Sequence, residues 1–258
     1  MNLDLTGRNA LVCGGSHGIG KAAAIELAAL GANVTLLSRT EASLKKALGE
    51  LPVKGAQKHA FIALDMNDHA ALAETVAAAS PFHIVVNNTG GPPGGQANAA
   101  KADEFTTAFS QHLLAGQTIL QAVLPGMKAA HYGRIVNVIS TSVKEPIKNL
   151  GVSNTIRGAV ASWAKTLATE LGGFGITVNN VLPGYTKTAR LDQILGDRAK
   201  ATQQDEAAIA KSMLASVPAA RFADANEIGG VIAFLATPAA GYINGINVPV
   251  DGGRTQSL

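Results

Sequence analysis

The sequence predicts an α/β fold in which helices cover both faces of a doubly wound parallel sheet. The first observation is that short apolar segments alternate with longer helix-like segments, as in consecutive βαβ units. The second is a glycine-rich turn, residues 14–20, directly after the first apolar segment. The third is the composition: the 258 residues are 47% hydrophobic and 15% charged, which suits one domain with a large core.

The composition also excludes several classes of protein. The apolar content is too high for a mostly disordered chain, and no apolar run approaches the roughly 18–20 residues that span a bilayer. The net charge is +3 without a dense Lys/Arg cluster, so we expect neither nucleic acid nor a membrane as partner. One cysteine, Cys13, and the lack of a signal-peptide pattern at the start indicate a cytoplasmic protein without an internal disulfide.

Each predicted strand is a short apolar run, and each predicted helix is rich in good helix formers. The predicted strands are residues 10–13, 33–37, 60–64, 83–86, 134–139, 177–182 and 245–250. The predicted helices are residues 21–30, 41–51, 70–79, 105–128, 153–171 and 226–236. Helices of this length between strands make the strands parallel. Pro249 suits the last strand because we expect that strand at an edge of the sheet.

The segment from Thr186 to Ser216 stands apart from this alternation. It is polar, helical and rich in charge, and it follows the C-terminal end of a strand, where ligands bind in open parallel sheets. Two interpretations remain open: a lid that moves over a ligand, and a plain pair of surface helices. Because no linker, repeat or low-complexity tract divides the chain, we predict a single domain over residues 1–258.

The turn after the first strand predicts a dinucleotide site. It reads Gly14-Gly15-Ser16-His17-Gly18-Ile19-Gly20 and opens the first helix. Glycines permit the tight turn and let backbone N–H groups approach a pyrophosphate, which the helix dipole also attracts. A glycine cluster alone can be a structural turn, but its position between a strand and a helix favours the dinucleotide.

The end of the second predicted strand bears on which dinucleotide binds. Folds that bind NAD carry an acidic residue there for the ribose 2′-hydroxyl, whereas this chain has Ser38 and Arg39. A guanidinium offers a planar fork of donors to a 2′-phosphate, and an acid would repel that group. We therefore expect NADP(H) rather than NAD(H); the alternative is that Arg39 is a solvated loop charge.

Further motifs follow in a fixed order. Asp65-Met66 follows the third strand, Asn87-Asn88-Thr89-Gly90 follows the fourth, and Pro183-Gly184-Tyr185-Thr186-Lys187-Thr188 follows the sixth. Together with the glycine turn, these motifs resemble those of the short-chain dehydrogenase/reductase family. Within that family the chain is most similar to the 3-oxoacyl-[acyl-carrier-protein] reductase branch, and the resemblance covers nearly the whole chain.

The resemblance implies a Rossmann-like sheet in the strand order 3-2-1-4-5-6-7 and a homotetramer or homodimer. It also implies hydride transfer between NADP(H) and a small carbonyl or hydroxyl compound, with 3-oxoacyl thioesters as one candidate substrate. The residues that it places at the cofactor are Gly14, Ser16, His17, Gly18, Ile19, Gly20, Ser38, Arg39, Asp65, Met66, Asn88, Thr89, Gly90, Arg157, Pro183, Gly184, Thr186 and Thr188.

The catalytic pattern of the family is broken in this chain. Members use an Asn that holds a relay water, a Ser that binds the carbonyl oxygen, a Tyr that donates the proton and a Lys that assists the Tyr. Ser140 keeps the Ser position, but the Tyr, Lys and Asn positions hold Ser153, Arg157 and His112. A serine hydroxyl is a far weaker acid than a phenol, and losing a positioned general acid costs ~10²–10⁴-fold in rate.

Two other side chains could supply the missing proton. Tyr185 carries a phenol beside the expected nicotinamide, and His112 is expected to titrate near neutral pH and to act through a water. Alternatively, Tyr185 only lines the pocket and His112 packs within its helix. We expect Tyr132 at the surface, and we expect no metal site because the His residues lack metal-ligand spacing.

Two functions remain open at this point. The first is an NADP(H)-dependent oxidoreductase with an atypical proton donor, which Ser140 and the retained dinucleotide motifs support. We favour it because the motif from Pro183 onwards would be unnecessary for binding adenine alone. The second is a catalytically silent NADP(H)-binding sensor or partner subunit, which Ser153, Arg157 and His112 support. A protein that binds no nucleotide is the least favoured alternative.

Overall fold

The computed structural model describes residues 1–257, which form a seven-stranded sheet. The strands are β1 (Asn9–Cys13), β2 (Asn33–Ser38), β3 (Ala60–Ala63), β4 (Ile84–Asn87), β5 (Gly133–Val138), β6 (Ile176–Pro183) and β7 (Asn247–Val250). All six neighbouring pairs are parallel, in the order β3-β2-β1-β4-β5-β6-β7. The predicted fold class and strand order are confirmed, and Pro249 lies in the edge strand β7.

Helices cover both faces of this sheet. They are α1 (Gly18–Ala29), α2 (Glu41–Leu48), α3 (His69–Ala79), α4 (Ala102–Phe109), α5 (Ala115–Ala129), α6 (Gly151–Leu171), α7 (Ala189–Thr202), α8 (Glu206–Leu214) and α9 (Ala225–Leu235). On one face α1, α2 and α9 share a core that includes Leu27, Leu36 and Ile232. On the other face α3, α5 and α6 share a core that includes Leu72 and Ile119. Within residues 1–257, no helix is both long and apolar enough to cross a membrane.

Small residues let α1 lie close to α9. A Cβ on Gly229 of α9 would come within 2.8 Å of the carbonyl carbon of Ala22 in α1. The facing positions Ala22 and Ala23 are buried, so the two backbones pack almost directly against each other. A larger side chain at Gly229 would push α1, and with it the glycine turn, away from the sheet.

The predicted helix over residues 105–128 is wrong as a continuous element. A π-helical turn, Ser110–Leu114, separates α4 from α5 and carries His112 in its middle. A π-helical turn has no residue signature, because it only shifts the backbone hydrogen bond by one position, so hydrophobic periodicity does not reveal it. Such turns are rare and often lie at functional sites.

The expectation that Tyr132 lies at the surface is also wrong. Its side chain is only 7% exposed, and its hydroxyl donates a 2.6 Å hydrogen bond to the carbonyl oxygen of Ala236. The guanidinium carbons of Arg8 and Arg134 lie 3.9 Å and 4.1 Å from the ring centroid. Ala236 and Arg8 lie far from Tyr132 in sequence, so its local surroundings do not reveal its burial.

The segment predicted as a lid or surface helix pair folds as α7 and α8. The two helices enclose a small apolar cluster of Leu191, Ile209 and Met213, against which Tyr185 and Phe222 pack. The segment therefore has its own core beside the C-terminal end of β6. Its movement over a ligand stays a prediction.

Four asparagine side chains form a hydrogen-bonded row across the C-terminal half of the sheet. The Nδ2 of Asn87 donates to Oδ1 of Asn137 at 2.9 Å. Asn137 donates in turn to Asn180 at 2.9 Å, and Asn180 donates to Asn247 at 2.8 Å. The four residues are also backbone partners in the registers of β4, β5, β6 and β7. The row therefore pairs three side-chain N–H donors with three amide oxygens and links the registers of four strands, while the buried Oδ1 of Asn87 has no partner.

Replacing Asn137, in the middle of the asparagine row, should destabilise the fold more than replacing Asn247 at its end. Asn137 is 1% exposed, so Asn137→Ala leaves the Asn87 amide and the Asn180 oxygen unpaired in the interior. At roughly 1–3 kcal/mol for each of the two buried groups without a partner, we expect a loss of about 2–6 kcal/mol in the free energy of unfolding. Urea titration followed by circular dichroism measures it. Asn247→Ala, at the edge strand, is the matched control, and an equal loss in both variants would contradict this account.

Candidate active site

A wide cavity lies where the carboxyl ends of β1, β4, β5 and β6 meet. This main cavity has a volume of about 550 Å³, within the usual range for small-molecule sites. Its position at the carboxyl edge of the parallel strands is where open α/β sheets bind ligands. Its walls include these predicted site residues: Gly14, Ser16, His17, Gly18, Ile19, Asn88, Thr89, Gly90, Ser140, Ser153, Arg157, Pro183, Gly184, Tyr185, Thr186 and Thr188.

The glycine turn forms one end of the main cavity, and its backbone leaves room for a ligand. Gly14 and Gly18 have φ values of +58° and +52°, which glycine adopts far more readily than other residues. A Cβ on Gly14 would lie 2.5 Å from the carbonyl oxygen of Asn88. The first turn of α1 has no side-chain cap and no acidic residue. An uncapped helix start with free N–H groups fits the pyrophosphate of a dinucleotide.

Some predicted cofactor residues lie outside the main cavity. Gly20 is structural, because a Cβ there would lie 2.2 Å from the carbonyl oxygen of Gly14. Ser38 and Arg39 lie at the end of β2, where the buried Ser38 hydroxyl has no partner and the Arg39 side chain is exposed. Asp65 is exposed, and its carboxylate accepts a 3.0 Å hydrogen bond from the backbone N–H of Asn67. Met66 lines a separate small cavity.

Arg157 is a buried cation without a carboxylate partner in the structure of residues 1–257. The residue is 7% exposed, and no Asp or Glu oxygen lies within ion-pair distance. Its Nη1 donates a 3.0 Å hydrogen bond to the carbonyl oxygen of Val138, and its Nε has no partner. Burial lowers the pKa of Arg157 to about 10, so the guanidinium stays protonated at neutral pH. An uncompensated buried charge is costly, and the wall of a ligand cavity is where an anion can offset it.

His112 lies behind this wall and not in it. The ring is 6% exposed, and its Nδ1 shares a short hydrogen bond with the hydroxyl of Thr89. It lines a cavity of only about 10 Å³ together with Arg157. Burial first, and then the positive charge of Arg157, lower the pKa of His112 to about 3. The expectation that His112 titrates near neutral pH is therefore wrong, because its surroundings keep the ring neutral.

The remaining predicted catalytic residues surround the main cavity from three elements. Ser140 follows β5, and its Oγ accepts a 3.1 Å hydrogen bond from the backbone N–H of Ser142. Ser153 lies on the first turns of α6, one turn before Arg157. Tyr185 follows β6, and its ring meets Phe222 edge-on at 6.2 Å between centroids. The structure thus brings both hydroxyls, the guanidinium and the phenol to one cavity.

Several wall residues were not predicted from the sequence. Arg190 starts α7 and donates a 3.1 Å hydrogen bond to the carbonyl oxygen of Pro92 across the cavity mouth. Leu191 and Ile194 of α7 add an apolar side to the cavity. Arg254 was also missed, although its guanidinium lies 4.7 Å from the ring centroid of Tyr185. The α7 residues belong to the segment that the sequence predicts as a lid or surface helix pair, which was the available signal for them. No local pattern in the sequence indicates that Arg254 lies beside Tyr185.

Burial of a neutral His112 should make stability fall in mild acid. The unfolded ring gains its proton below a pKa of about 6.5, whereas the folded ring resists protonation down to about 3. The stability that depends on the neutral ring is complete above that unfolded pKa and is lost as the pH falls. We expect His112→Asn to abolish about 2 kcal/mol of the wild-type decrease between about pH 7 and pH 5. Urea unfolding at each pH measures it; identical pH dependence in wild type, His112→Asn and the exposed control His131→Asn would disprove it.

Several known proteins are similar to this chain over most of its length. A family model described as enoyl-(acyl carrier protein) reductase matches residues 14–255. The 3-oxoacyl-[acyl-carrier-protein] reductase of Pseudomonas aeruginosa is 33% identical over 262 residues, which cover 99% of this chain and 100% of that protein. A chloroplastic tropinone reductase homologue of Arabidopsis thaliana is 31% identical over 255 residues, or 97% of this chain and 76% of that protein.

A solved structure has nearly the same fold. L-sorbose reductase from Gluconobacter frateurii, crystallised with NADPH and L-sorbose, superposes with a TM-score of 0.92 at 27% sequence identity. The superposition covers 100% of both chains, so it includes the glycine turn and the cavity walls. With the family model matching residues 14–255, the chain belongs to the short-chain dehydrogenase/reductase family of NAD(P)-dependent oxidoreductases.

Proposed function

We propose that this protein transfers hydride between NADP(H) and the carbonyl carbon of a small substrate, with Arg157 stabilising negative charge on the carbonyl oxygen. The observation that carries this proposal is the guanidinium of Arg157, which is buried in the wall of the main cavity and has no carboxylate partner in the structure of residues 1–257. A fixed positive charge in a site that excludes water stabilises an oxyanion strongly. The hydroxyls of Ser140 and Ser153 line the same cavity and can donate hydrogen bonds to the same oxygen.

The residues that would hold the cofactor follow from the turn and the strand ends. Gly14, Gly18 and the uncapped start of α1 suit the pyrophosphate. The unpartnered hydroxyl of Ser38 and the exposed guanidinium of Arg39 suit a 2′-phosphate. When bound, the nicotinamide ring supplies or accepts the hydride. The NADPH complex of L-sorbose reductase supports this choice of cofactor.

Reduction of a carbonyl also requires a proton at its oxygen. Apart from two arginines, the titratable side chains that line the main cavity are His17 and Tyr185. His17 lies in the glycine turn, where its Nδ1 is 3.0 Å from the hydroxyl of Ser16, which places it at the pyrophosphate end. We therefore assign the proton donor role to Tyr185, which replaces the phenol missing at the position of Ser153. This assignment excludes His112, since that ring is neutral and lies outside the cavity.

A 3-oxoacyl thioester is our first candidate substrate. The support is the 33% identity to the Pseudomonas aeruginosa reductase, whose name describes that substrate class. The main cavity also has an apolar side, formed by Leu150, Leu191 and Ile194, against which an acyl chain can pack.

A catalytically silent NADP(H)-binding protein is the competing candidate. It is favoured by the lining of the main cavity, which contains no Asp, Glu, Lys or Cys in the structure of residues 1–257. General acid–base chemistry there would depend on Tyr185 alone. If Tyr185 serves only to pack against Phe222, Arg157 would hold the cofactor without supporting turnover.

The decisive experiment measures NADPH oxidation by the purified protein with acetoacetyl-CoA and a panel of small carbonyl compounds. We expect wild-type turnover, a fall of ~10²–10³-fold in kcat for Arg157→Gln and a fall of ~10²–10⁴-fold for Tyr185→Phe. Tyr242→Phe, at a fully exposed phenol, is the matched control.

The double variant Ser153→Tyr with Arg157→Lys separates the two candidates. It restores the residue types that the family uses in proton transfer. A wild type that is inactive on every compound, beside an active double variant, would overturn the enzyme proposal and support silent binding. Turnover by wild type that survives Tyr185→Phe would instead remove Tyr185 from the mechanism.

The choice of NADP(H) has a separate test at the end of β2. Arg39→Ala removes the cation that we place at the 2′-phosphate, so the Kd for NADPH should rise by about 10- to 100-fold. The Kd for NADH should stay unchanged, because NADH has no such phosphate. Fluorescence titration measures both constants. Lys58→Ala removes the same charge at an exposed position just before β3, at the amino ends of the strands, whereas Arg39 follows the carboxyl end of β2. An equal loss of NADPH affinity in Lys58→Ala would refute a specific contact at Arg39.

A further inference from the structure

A second cavity of about 260 Å³ lies beside the main cavity, and Tyr185 belongs to the walls of both. Three parts of the chain that are distant in sequence build it. The loop after β5 contributes Thr141 and Lys148, α7 contributes Arg198, and the segment after β7 contributes Arg254. Nothing in the proposed hydride transfer uses these residues, so their convergence needs another explanation.

The second cavity is positively charged. Three of its wall residues are cations, Lys148, Arg198 and Arg254, and none of them has a carboxylate within ion-pair distance in the structure of residues 1–257. The single acidic wall residue is Glu145. Its Oε1 already accepts hydrogen bonds from the backbone N–H groups of Gln256 and Ser257, at 2.8 Å and 2.7 Å. One wall carboxylate against three wall cations leaves the cavity with an excess of positive charge, although the charge of Arg254 also acts on Glu145. This excess favours a bound anion.

Arg254 is held in place by two contacts, but one of its N–H groups has no hydrogen-bond partner. Its guanidinium lies 4.7 Å from the ring centroid of Tyr185, and its Nη1 donates a 3.3 Å hydrogen bond to the hydroxyl of Thr141. Its buried Nε has no partner, and neither does the buried hydroxyl of Thr255. Buried polar groups without partners are rare in folded proteins. Two such groups, one of them on a fixed guanidinium, indicate a binding site for a polar ligand.

We propose that the second cavity binds an oxyanion, a carboxylate or a phosphate monoester, carried by the substrate whose reacting carbonyl lies in the main cavity. The inference rests on the proposed function and names its substrate class. A guanidinium matches the two oxygens of such a group with parallel hydrogen bonds. Because Tyr185 separates the two cavities, a substrate passing beside its ring would place the anion at Arg254 and the carbonyl near Arg157.

Paired probes that differ only in charge test this proposal by isothermal titration against the protein saturated with NADP⁺. The carboxylate pair is 4-oxopentanoate and its methyl ester; the phosphate pair is dihydroxyacetone phosphate and dihydroxyacetone. We expect the charged member of one pair to bind about 10- to 100-fold more tightly than its neutral partner. The pair that shows this preference identifies the oxyanion.

Variants assign the preference to the second cavity. Arg254→Gln and, separately, Arg198→Gln should each lower the affinity for the charged probe by about 10-fold or more, while the neutral probe binds as before. Lys200→Gln, an exposed position on the same helix as Arg198, is the matched control and should change neither affinity. Equal affinities within both pairs, or a charge preference that survives both arginine variants, overturn the proposal.

Turnover is measured separately, so the two proposals can fail independently. A charge preference that depends on Arg254, in a protein that oxidises no NADPH, would retain the oxyanion site and overturn hydride transfer. Turnover of neutral and charged carbonyl compounds with equal kcat/KM would retain hydride transfer and overturn the oxyanion site.

Discussion

The parallel register of β4 to β7, fixed by the row of asparagine amides, is the constraint on which the site depends. Each asparagine pairs with its neighbour through both the backbone register and the side chain. The candidate functional residues follow the asparagines of this row by about two to seven positions: Thr89 follows Asn87, Ser140 follows Asn137, Tyr185 follows Asn180 and Arg254 follows Asn247. A shift of register in any one strand would turn side chains to the other face and separate these groups.

Burial of one cation then determines the electrostatics around the main cavity. Arg157 is desolvated without a carboxylate, and its charge also helps to keep His112 neutral. Because the ring stays neutral and the guanidinium stays protonated near pH 7, these two groups supply charge and no readily exchanged proton. Under the proposed hydride transfer, the proton therefore comes from the phenol of Tyr185, which lines the main cavity.

The sequence was sufficient for the fold and for the glycine turn, because both depend on local patterns. Alternating segments predict parallel strands, and the glycines that predict the turn are the ones that its φ values and close contacts require, as at Gly14 and Gly18. Features made by distant contacts were not predictable. Tyr132 is covered by Arg8 and hydrogen-bonds to Ala236, and the second cavity joins segments far apart in sequence. The π-helical turn at His112 is local, but it has no residue signature.

The placement of Tyr185 between two unpaired cationic groups links selectivity to chemistry. Phe222 meets its ring edge-on and Arg254 lies over it, so the phenol has little freedom to move away from either cavity. Under the proposals above, a neutral substrate would reach Arg157 but would bring no anion to the cations of the second cavity. A substrate with a carbonyl and an oxyanion at suitable spacing would occupy both cavities at once. A site that hydrogen-bonds a polar group rejects an analogue without that group far more strongly than an apolar pocket rejects a missing methylene, so such discrimination exceeds what an apolar pocket alone can provide.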